Sequence, residues 1–432
     1  MNLLKWLPLQ LLHGQNKTMT IKALYPTTRP TLDLNFAATK RLDPRITYSR
    51  ASTGTFVGSN GLIQTAASGA ARFDHNPATG ESLGLLVEEA RTNLLTYSST
   101  LSSPWYFPYL TRVANAGVAP DGTSTASSFA TTAVGGYNLL QPVAPTLLTS
   151  TNYCFSLYVK LLSGTGTTSS ISIGSNSHLV TPNYASYGLR LDNVTETTTG
   201  AVPSIKGYTA LPNGWFRIYM VFNTAAQTNA GITIYVGDTT TNVASFLIWG
   251  AQLEAGSFPT SYIPTVASTV TRAADVASMT GTNFSSWYNQ SEGTLFAAQR
   301  SDTIQDAYET STFVLCSSNP NAHFIGMDVT NDYNRTDVYG NGPTASIEPY
   351  APVTPGTLSK NAFAYQLNNA AAVRNGGTVF TDTSVGLPIV EIDRATIGHN
   401  LIYGNQKRQH LSRLTYYPVR LPDAQLQALT AT

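Results

Sequence analysis

The sequence predicts an all-β protein of tandem β-sandwich domains with a short extended N-terminal segment, and three observations carry that prediction. Charged residues make up only 11% of the 432 positions, well under the roughly 25% of an average globular protein. Long amphipathic helices rich in Glu, Lys and Arg are therefore nearly absent. Surface polarity comes instead from Thr, Ser, Asn and Gly with 23 Tyr, a mixture that suits a pleated surface better than a helix. Short alternating runs separated by Gly/Asn/Pro turns recur along the chain, which is the pattern of a sandwich. With 42% hydrophobic residues the chain can fill several cores, and its length exceeds one ordinary core, so two or three domains are expected. No sequence repeat at a fixed period is present, which disfavours solenoids and propellers.

Four segments follow in order. Residues 1–32 open with Met1-Asn2-Leu3-Leu4-Lys5-Trp6-Leu7-Pro8-Leu9. A single basic residue, the interruption at Pro8 and Gln10, and the missing small-x-small site oppose a signal peptide, and the run is too short to span a bilayer. An apolar dozen needs a cover, either the protein's own core or a partner subunit. The expected partner-docking residues are Leu3, Leu4, Trp6, Leu7 and Leu9. Residues 33–98 form a β region with short extended runs near Thr31–Phe36 and Arg45–Ser49 and turns at Gly58-Ser59-Asn60-Gly61 and Asn76-Pro77. Residues 99–275 carry strands at Tyr153–Lys160, Trp215–Phe222 and Gly231–Val236 and close on Phe246–Glu254. Residues 276–432 open with the strand Gly293–Gln299, contain a central strand at Asn361–Tyr365, and turn a hairpin at Arg374-Asn375-Gly376-Gly377, because Asn-Gly is the strongest short turn signal. A terminal helix is expected after Pro422, a residue harmless at a helix start.

Three pieces, Arg50-Ala51-Ser52-Thr53, Arg72-Phe73-Asp74 and Gly84–Leu95, resemble in order and spacing a segment shared by tail and head-fibre proteins of tailed bacteriophages. The closing run of the third segment, with Asn213-Gly214-Trp215-Phe216-Arg217, resembles the jelly-roll carbohydrate-binding modules of phage tail proteins. The order of elements in the last segment is similar to a concanavalin-like or laminin-G-like sandwich. These resemblances imply a virion component, assembled in the host cytoplasm, homo-oligomeric and by family habit trimeric. They imply contact with other virion proteins and with host-surface glycan. Jelly rolls of this type also serve as spacers without ligand, so fold alone does not carry function.

Chemistry-bearing patterns are scarce. The net charge is +1, whereas nucleic-acid binding needs a concentrated basic face; Lys407-Arg408-Gln409-His410 reads as a solvated strand end. Cys154 and Cys316 sit in apolar, strand-like runs as buried thiols. The six histidines show no ligand spacing, so no metal and no cofactor are expected. Glu88 and Glu89 are the only adjacent carboxylates, and on a strand they point to opposite faces. They cannot then face one sugar as a glycosidase pair must; pairing of one with Arg91, or capping of backbone N–H groups, is the reading adopted. A distant pair such as Asp238 with Glu254 stays open.

Aromatic residues remain. Trp215 and Trp249 alternate within strands and are expected in a core. Trp105, Tyr106, Trp287 and Tyr288 stand near segment edges, where binding residues gather. Tyr333, Asn334, Arg335 and Asp337 make a polar-aromatic loop. These eight are the candidate carbohydrate contacts, although a core or a homotrimeric interface would use the same residue types. The sequence thus reads as a non-enzymatic virion fibre or appendage subunit that binds carbohydrate. A tailspike-like glycan depolymerase and a ligand-free decoration or spacer protein are the rivals.

Overall fold

The computed structural model describes residues 26–132, 138–175, 185–200, 203, 205–226, 228, 231–237, 244–301, 310–318, 323–329, 334–339, 345–347, 354–388, 390–399 and 407–431. The segment holding Leu3, Leu4, Trp6, Leu7 and Leu9 lies outside them. The protein is all-β, built from two sandwiches of antiparallel sheets.

One sandwich is assembled from both ends of the chain. Its first sheet runs Phe380–Asp382, Ala370–Arg374, Ser359–Gln366, Glu292–Ser301, Gln409–Tyr417, Ser82–Val87, Arg72–His75, with Leu32–Leu34 also on Gln409–Tyr417. The facing sheet runs Thr47–Ser49, Val276–Thr280, Arg394–Ile397, Thr310–Cys316, Phe324–Val329, Asn334–Tyr339, Ala345–Ile347. Alternation along each strand sends one set of side chains inward. Leu34, Phe36, Leu85 and Val87 therefore share one core with Leu295, Phe313, Phe363 and Tyr416. Residues 33–98 do not close a core of their own. Thr47–Ser49 and Ser82–Val87 pair with strands of residues 276–417, and their apolar faces would be bare without that partner. The Asn375-Gly376 turn forms as the sequence predicts: both residues have positive φ, 47° and 67°, between the paired strands Ala370–Arg374 and Phe380–Asp382. A helix, Asp423–Thr430, starts directly after Pro422.

The second sandwich is inserted into the first. A two-stranded ribbon, Arg91–Asn93 against Val270–Arg272, marks where the chain leaves and returns. Between them lie a six-stranded sheet, Lys206–Ala210, Phe216–Asn223, Asn152–Ser163, Ser245–Ala255, Ala126–Thr131, Leu110–Gly117, and a five-stranded one, Leu139–Leu140, Ile232–Val236, Ser170–Ser175, Ala185–Arg190, Thr195–Gly200. Phe129, Phe155, Leu157, Ile173, Ile234 and Phe246 fill the space between them. Trp215 and Trp249 are buried as expected, on the outer face of the six-stranded sheet. There they pack with Tyr158, Tyr262 and Ile63, the last from a separate hairpin of Gly54–Val57 and Ile63–Ala66.

Asn93 ties the ribbon down: its amide donates to the carbonyls of Ala251 and Ile263 and accepts from the amides of Leu95 and Leu253. All four hydrogen-bonding positions of the buried amide are used. Gly84 has φ 97°, and a Cβ there would come within 2.1 Å of the Leu411 carbonyl oxygen. Only glycine permits that approach of the Ser82–Val87 strand to Gln409–Tyr417.

Candidate functional site

Two polar centres stand out, one closed and one open. The closed one is the seam between the sandwiches. Arg72, wholly buried, donates to Glu88 at 2.7 Å and also pairs with Asp275. Arg50 reaches Asp275 at 3.1 Å, and Arg272 reaches Glu88 at 3.1 Å. Glu88 further accepts from the Ser261 amide and hydroxyl, while Asp275 accepts from the Glu88 amide and the Tyr48 hydroxyl. Burial alone would raise the Glu88 carboxyl, but the guanidiniums of Arg272, Arg72 and Arg408 hold it well below its ordinary range. Burial pulls Arg272 itself below an ordinary arginine. Beside the seam, Asp74 bonds His410 at 2.8 Å and the Val57 amide. Burial opposes ionisation of Asp74, and its bond to and attraction by His410, the charge of Arg408 and the Val57 amide together outweigh it. Each of the three resemblance pieces thus supplies a seam residue: Arg50, Arg72 with Asp74, and Glu88.

Glu88 and Glu89 do point to different partners. Arg91 takes Glu89 at 2.7 Å, leaving Glu88 to Arg72 and Arg272. Glu254 is buried among Gln252 and Thr260, and Asp238 lies outside the described residues.

The open centre is a cleft of about 490 Å³ at one end of the terminal sandwich. The strand Val276–Thr280 delivers Thr280 and Gly281, and the single turn Thr282–Ser285 delivers Phe284 and Ser285. Tyr288 follows, its ring centre 4.7 Å from Phe284 and 6.0 Å from Tyr416. Burial pushes its hydroxyl well above the ordinary tyrosine range, so it stays protonated and donates to Gln290. Gln290 staples the opposite wall, donating to the Pro388 carbonyl and accepting from the Ile392 amide. Glu391, Ile392, Asp393 and Arg394 complete that wall. Arg394 is engaged through Nε, 2.8 Å from Asp393. Glu391 is exposed.

The structure scatters the eight candidate residues. Trp105 is 5% exposed, its indole N–H donating to the Thr96 carbonyl. Trp287 is 3% exposed, its N–H donating to the Asn283 carbonyl. Neither ring offers a face to a sugar, so both become core residues: the segment edges on which they sit are covered by the folded sandwiches. Tyr106 is 61% exposed on the inserted sandwich. Asn334, Arg335 and Asp337 lie on the strand Asn334–Tyr339 rather than in a loop. Asp337 is buried, and Tyr333 and the side chains of Asn334 and Arg335 lie outside the described residues. Among the described residues of the eight, Tyr288 alone lines the cleft.

Ser285, Gln290, Glu391, Asp393 and Arg394 were not expected there. A signal existed: Glu391-Ile392-Asp393-Arg394 puts three charges into four positions of a charge-poor chain. Among the described residues no group of three or more His, Cys, Asp or Glu is placed to hold a metal ion, and no helix is long and apolar enough to cross a membrane.

No family model and no curated protein matches this sequence. Among solved structures, the chain is similar to the CBM40 module of the Ruminococcus gnavus IT-sialidase, solved with α2,3-sialyllactose. Identity is 15% over 33% of this chain and 84% of that one, with a TM-score of 0.29. A heptameric SAP-like pentraxin from Limulus polyphemus is similar at 14% identity, covering 33% and 70% of the two chains, TM-score 0.26. The receptor-binding domain of botulinum neurotoxin mosaic serotype C/D is similar at 11% identity, covering 35% and 38%, TM-score 0.28. Each likeness spans about a third of the chain; the reading of the cleft rests on its own side chains.

Proposed function

We propose that this chain is a non-enzymatic structural subunit of a tailed-bacteriophage particle, a homo-oligomeric fibre or appendage protein that binds host-surface carbohydrate in the Tyr288 cleft. The observation that carries the binding reading is the composition of that cleft. A sugar ring has an apolar face and a rim of hydroxyls. Tyr288, partly buried and backed by the core ring of Phe284, supplies an aromatic face, while Thr280, Ser285, Glu391 and the Asp393–Arg394 pair supply donors and acceptors around it. The volume falls within the roughly 300–1,000 Å³ of small-molecule sites. The particle reading is supported by the sequence resemblance, whose three pieces converge on the seam. A residue set spent on holding two modules rigid suits a mechanical component.

The non-enzymatic reading is supported by the state of the carboxylates that the sequence brought forward. Glu88 and Glu254 are fully buried in hydrogen bonds, so neither meets a substrate. The depolymerase reading has one observation on its side, since Glu391 and Asp393 share a cleft. Hydrolysis needs a proton donor and a second carboxylate across the scissile bond, whereas Asp393 is already paired with Arg394.

The test uses the full-length protein on an array of bacterial surface glycans. One shallow site gives micromolar-to-millimolar affinity, about 4–8 kcal/mol, which multivalent display raises without new contacts. Retention should fall with Tyr288→Ala and with Ser285→Trp, which fills the cleft from an exposed position without removing a core contact. Sustained release of reducing ends would overturn the non-enzymatic reading. Absence of retention in multivalent form would leave a spacer.

A further inference from the structure

The charges around the cleft say which glycans it takes. We infer that the Tyr288 cleft selects neutral or amino-bearing sugars and rejects anionic ones such as uronates, sialosides and sulfated residues. This rests on the binding reading above and adds the ligand's charge class. Three charged side chains line the cleft among the described residues: Glu391, Asp393 and Arg394. A carboxylate on a sugar would look to the only guanidinium of the three. Arg394 is already held by Asp393, Nε to Oδ1 at 2.8 Å and Nη2 to Oδ2 at 3.4 Å. These contacts occupy the Nε–Nη2 edge of the guanidinium, and the Asp393 carboxylate already balances its charge against an incoming one. Hydrogen bonding to Asp393 also raises the Arg394 pKa, so its charge is fixed and balanced within the pair.

Glu391 is different. It is exposed on the wall of the cleft, outside the Asp393–Arg394 pair. The pair cancels, so the lining carries the one uncompensated negative charge of Glu391. That carboxylate attracts an ammonium, accepts hydrogen bonds from neutral sugar hydroxyls or acetamido N–H groups, and repels a second carboxylate or a sulfate. The aromatic face of Tyr288 is indifferent to sign for a neutral ring and favours a cation over it. Both features therefore push in one direction.

The experiment measures full-length protein against an array of neutral, amino and anionic oligosaccharides, read for retention at low and moderate salt. Neutral and amino probes should be retained, with amino probes stronger by roughly three- to fivefold at low salt, the size of an exposed charge pair. Added salt should erase that margin. Glu391→Gln should remove the preference for amino probes while leaving neutral ones bound. Glu391→Lys should turn the preference towards anionic probes. Retention concentrated on anionic probes in the unaltered protein would overturn the charge assignment while leaving a glycan-binding cleft. An amino preference that survives Glu391→Lys unchanged would overturn it as well. Retention of no probe at all would instead remove the binding reading on which the assignment stands, and the assignment with it.

Discussion

At the seam, Arg72 lies between Glu88 and Asp275 with all three side chains fully buried, whereas at the cleft Arg394 holds Asp393 with 29% and 39% of the two side chains exposed. The ion types are the same, and solvent separates what they do. In a medium of low dielectric a charge must be matched by partners from several directions. The seam meets that demand by drawing Arg50, Arg72, Glu88, Arg272 and Asp275 from four stretches of sequence, so it specifies how the sandwiches sit together. At the cleft, water screens the pair and the interaction is weak, while Glu391, Ser285 and Tyr288 line the opening to an incoming ligand. One centre is therefore read by its effect on folding and the other by its effect on binding.

The largest effect is expected where the closed centre loses a member. Arg72→Met leaves Glu88 and Asp275 facing each other in the buried seam with less compensation, which by analogy with broken buried pairs costs about 3–5 kcal/mol. Calorimetry should show a large fall in melting temperature, and limited proteolysis should cut first near the Arg91–Asn93 and Val270–Arg272 ribbon. A change under about 1 kcal/mol, the ordinary size of an exposed ion pair, would show that the seam behaves like the cleft and that the contrast fails.

Trp287→Ala comes next, and it bears directly on what the sequence could reveal. The indole packs against Phe284, Phe313 and Tyr416, so truncation should cost about 3–5 kcal/mol through the cavity it leaves. Binding by the folded fraction should change little, because Tyr288 and not Trp287 faces the cleft. Glycan loss without loss of stability would return Trp287 to the role that its edge position suggested.

The fold class was legible because composition and alternation are local signals. The Asn375-Gly376 turn, the helix after Pro422 and the burial of Trp215, Trp249, Cys154 and Cys316 were visible for the same reason. The discontinuous sandwich was hidden, because nothing local says that Leu32 will lie opposite Tyr416. Glu88 shows the limit within a site. The sequence offered Arg91 two or three positions away, and it takes Glu89 alone; the strand Ser82–Val87 ends before either glutamate, so strand alternation does not place them. The actual partners, Arg72 and Arg272, arrive through tertiary pairing. For the aromatics, edge position did not distinguish Trp287 from Tyr288, since both lie in one turn and only packing decides which ring is covered.

Acid should separate the two centres by a smaller margin. Folding depresses the carboxyls of Glu88 and Asp74 below their ordinary values of 4.5 and 3.8. For a depressed carboxylate the extra stability is present above the unfolded pKa and lost as pH falls through the folded one. Stability from the seam should therefore be level with respect to these groups at neutral pH and decline below about 4.5, the unfolded value of Glu88. Arg72→Met should flatten that decline in chemical denaturation series, because the guanidinium no longer depresses Glu88, while Glu391→Gln should leave its slope unchanged. A decline that persists equally in both variants would mean that other carboxylates set the acid limit.

The smallest effect is expected at Tyr106, and it sharpens the comparison from the side of exposure. Its ring is 61% exposed, and the residue is held through its backbone, which exchanges hydrogen bonds with Gln141 in both directions. Removing the ring leaves both backbone bonds in place. Tyr106→Ala should thus shift stability by no more than about 0.5 kcal/mol, as for an ordinary surface substitution. Neighbouring Trp105, whose indole is sealed and donates to Thr96, should lose several times more on the same truncation. Tyr106 lies on the inserted sandwich and the cleft on the terminal one, so glycan retention should not change if the cleft is the binding site. Retention on the array, measured beside the melting temperature, decides the point. A Tyr106→Ala protein that melts normally but loses its glycan would move the binding site to the inserted sandwich and leave the Tyr288 cleft without its assigned role.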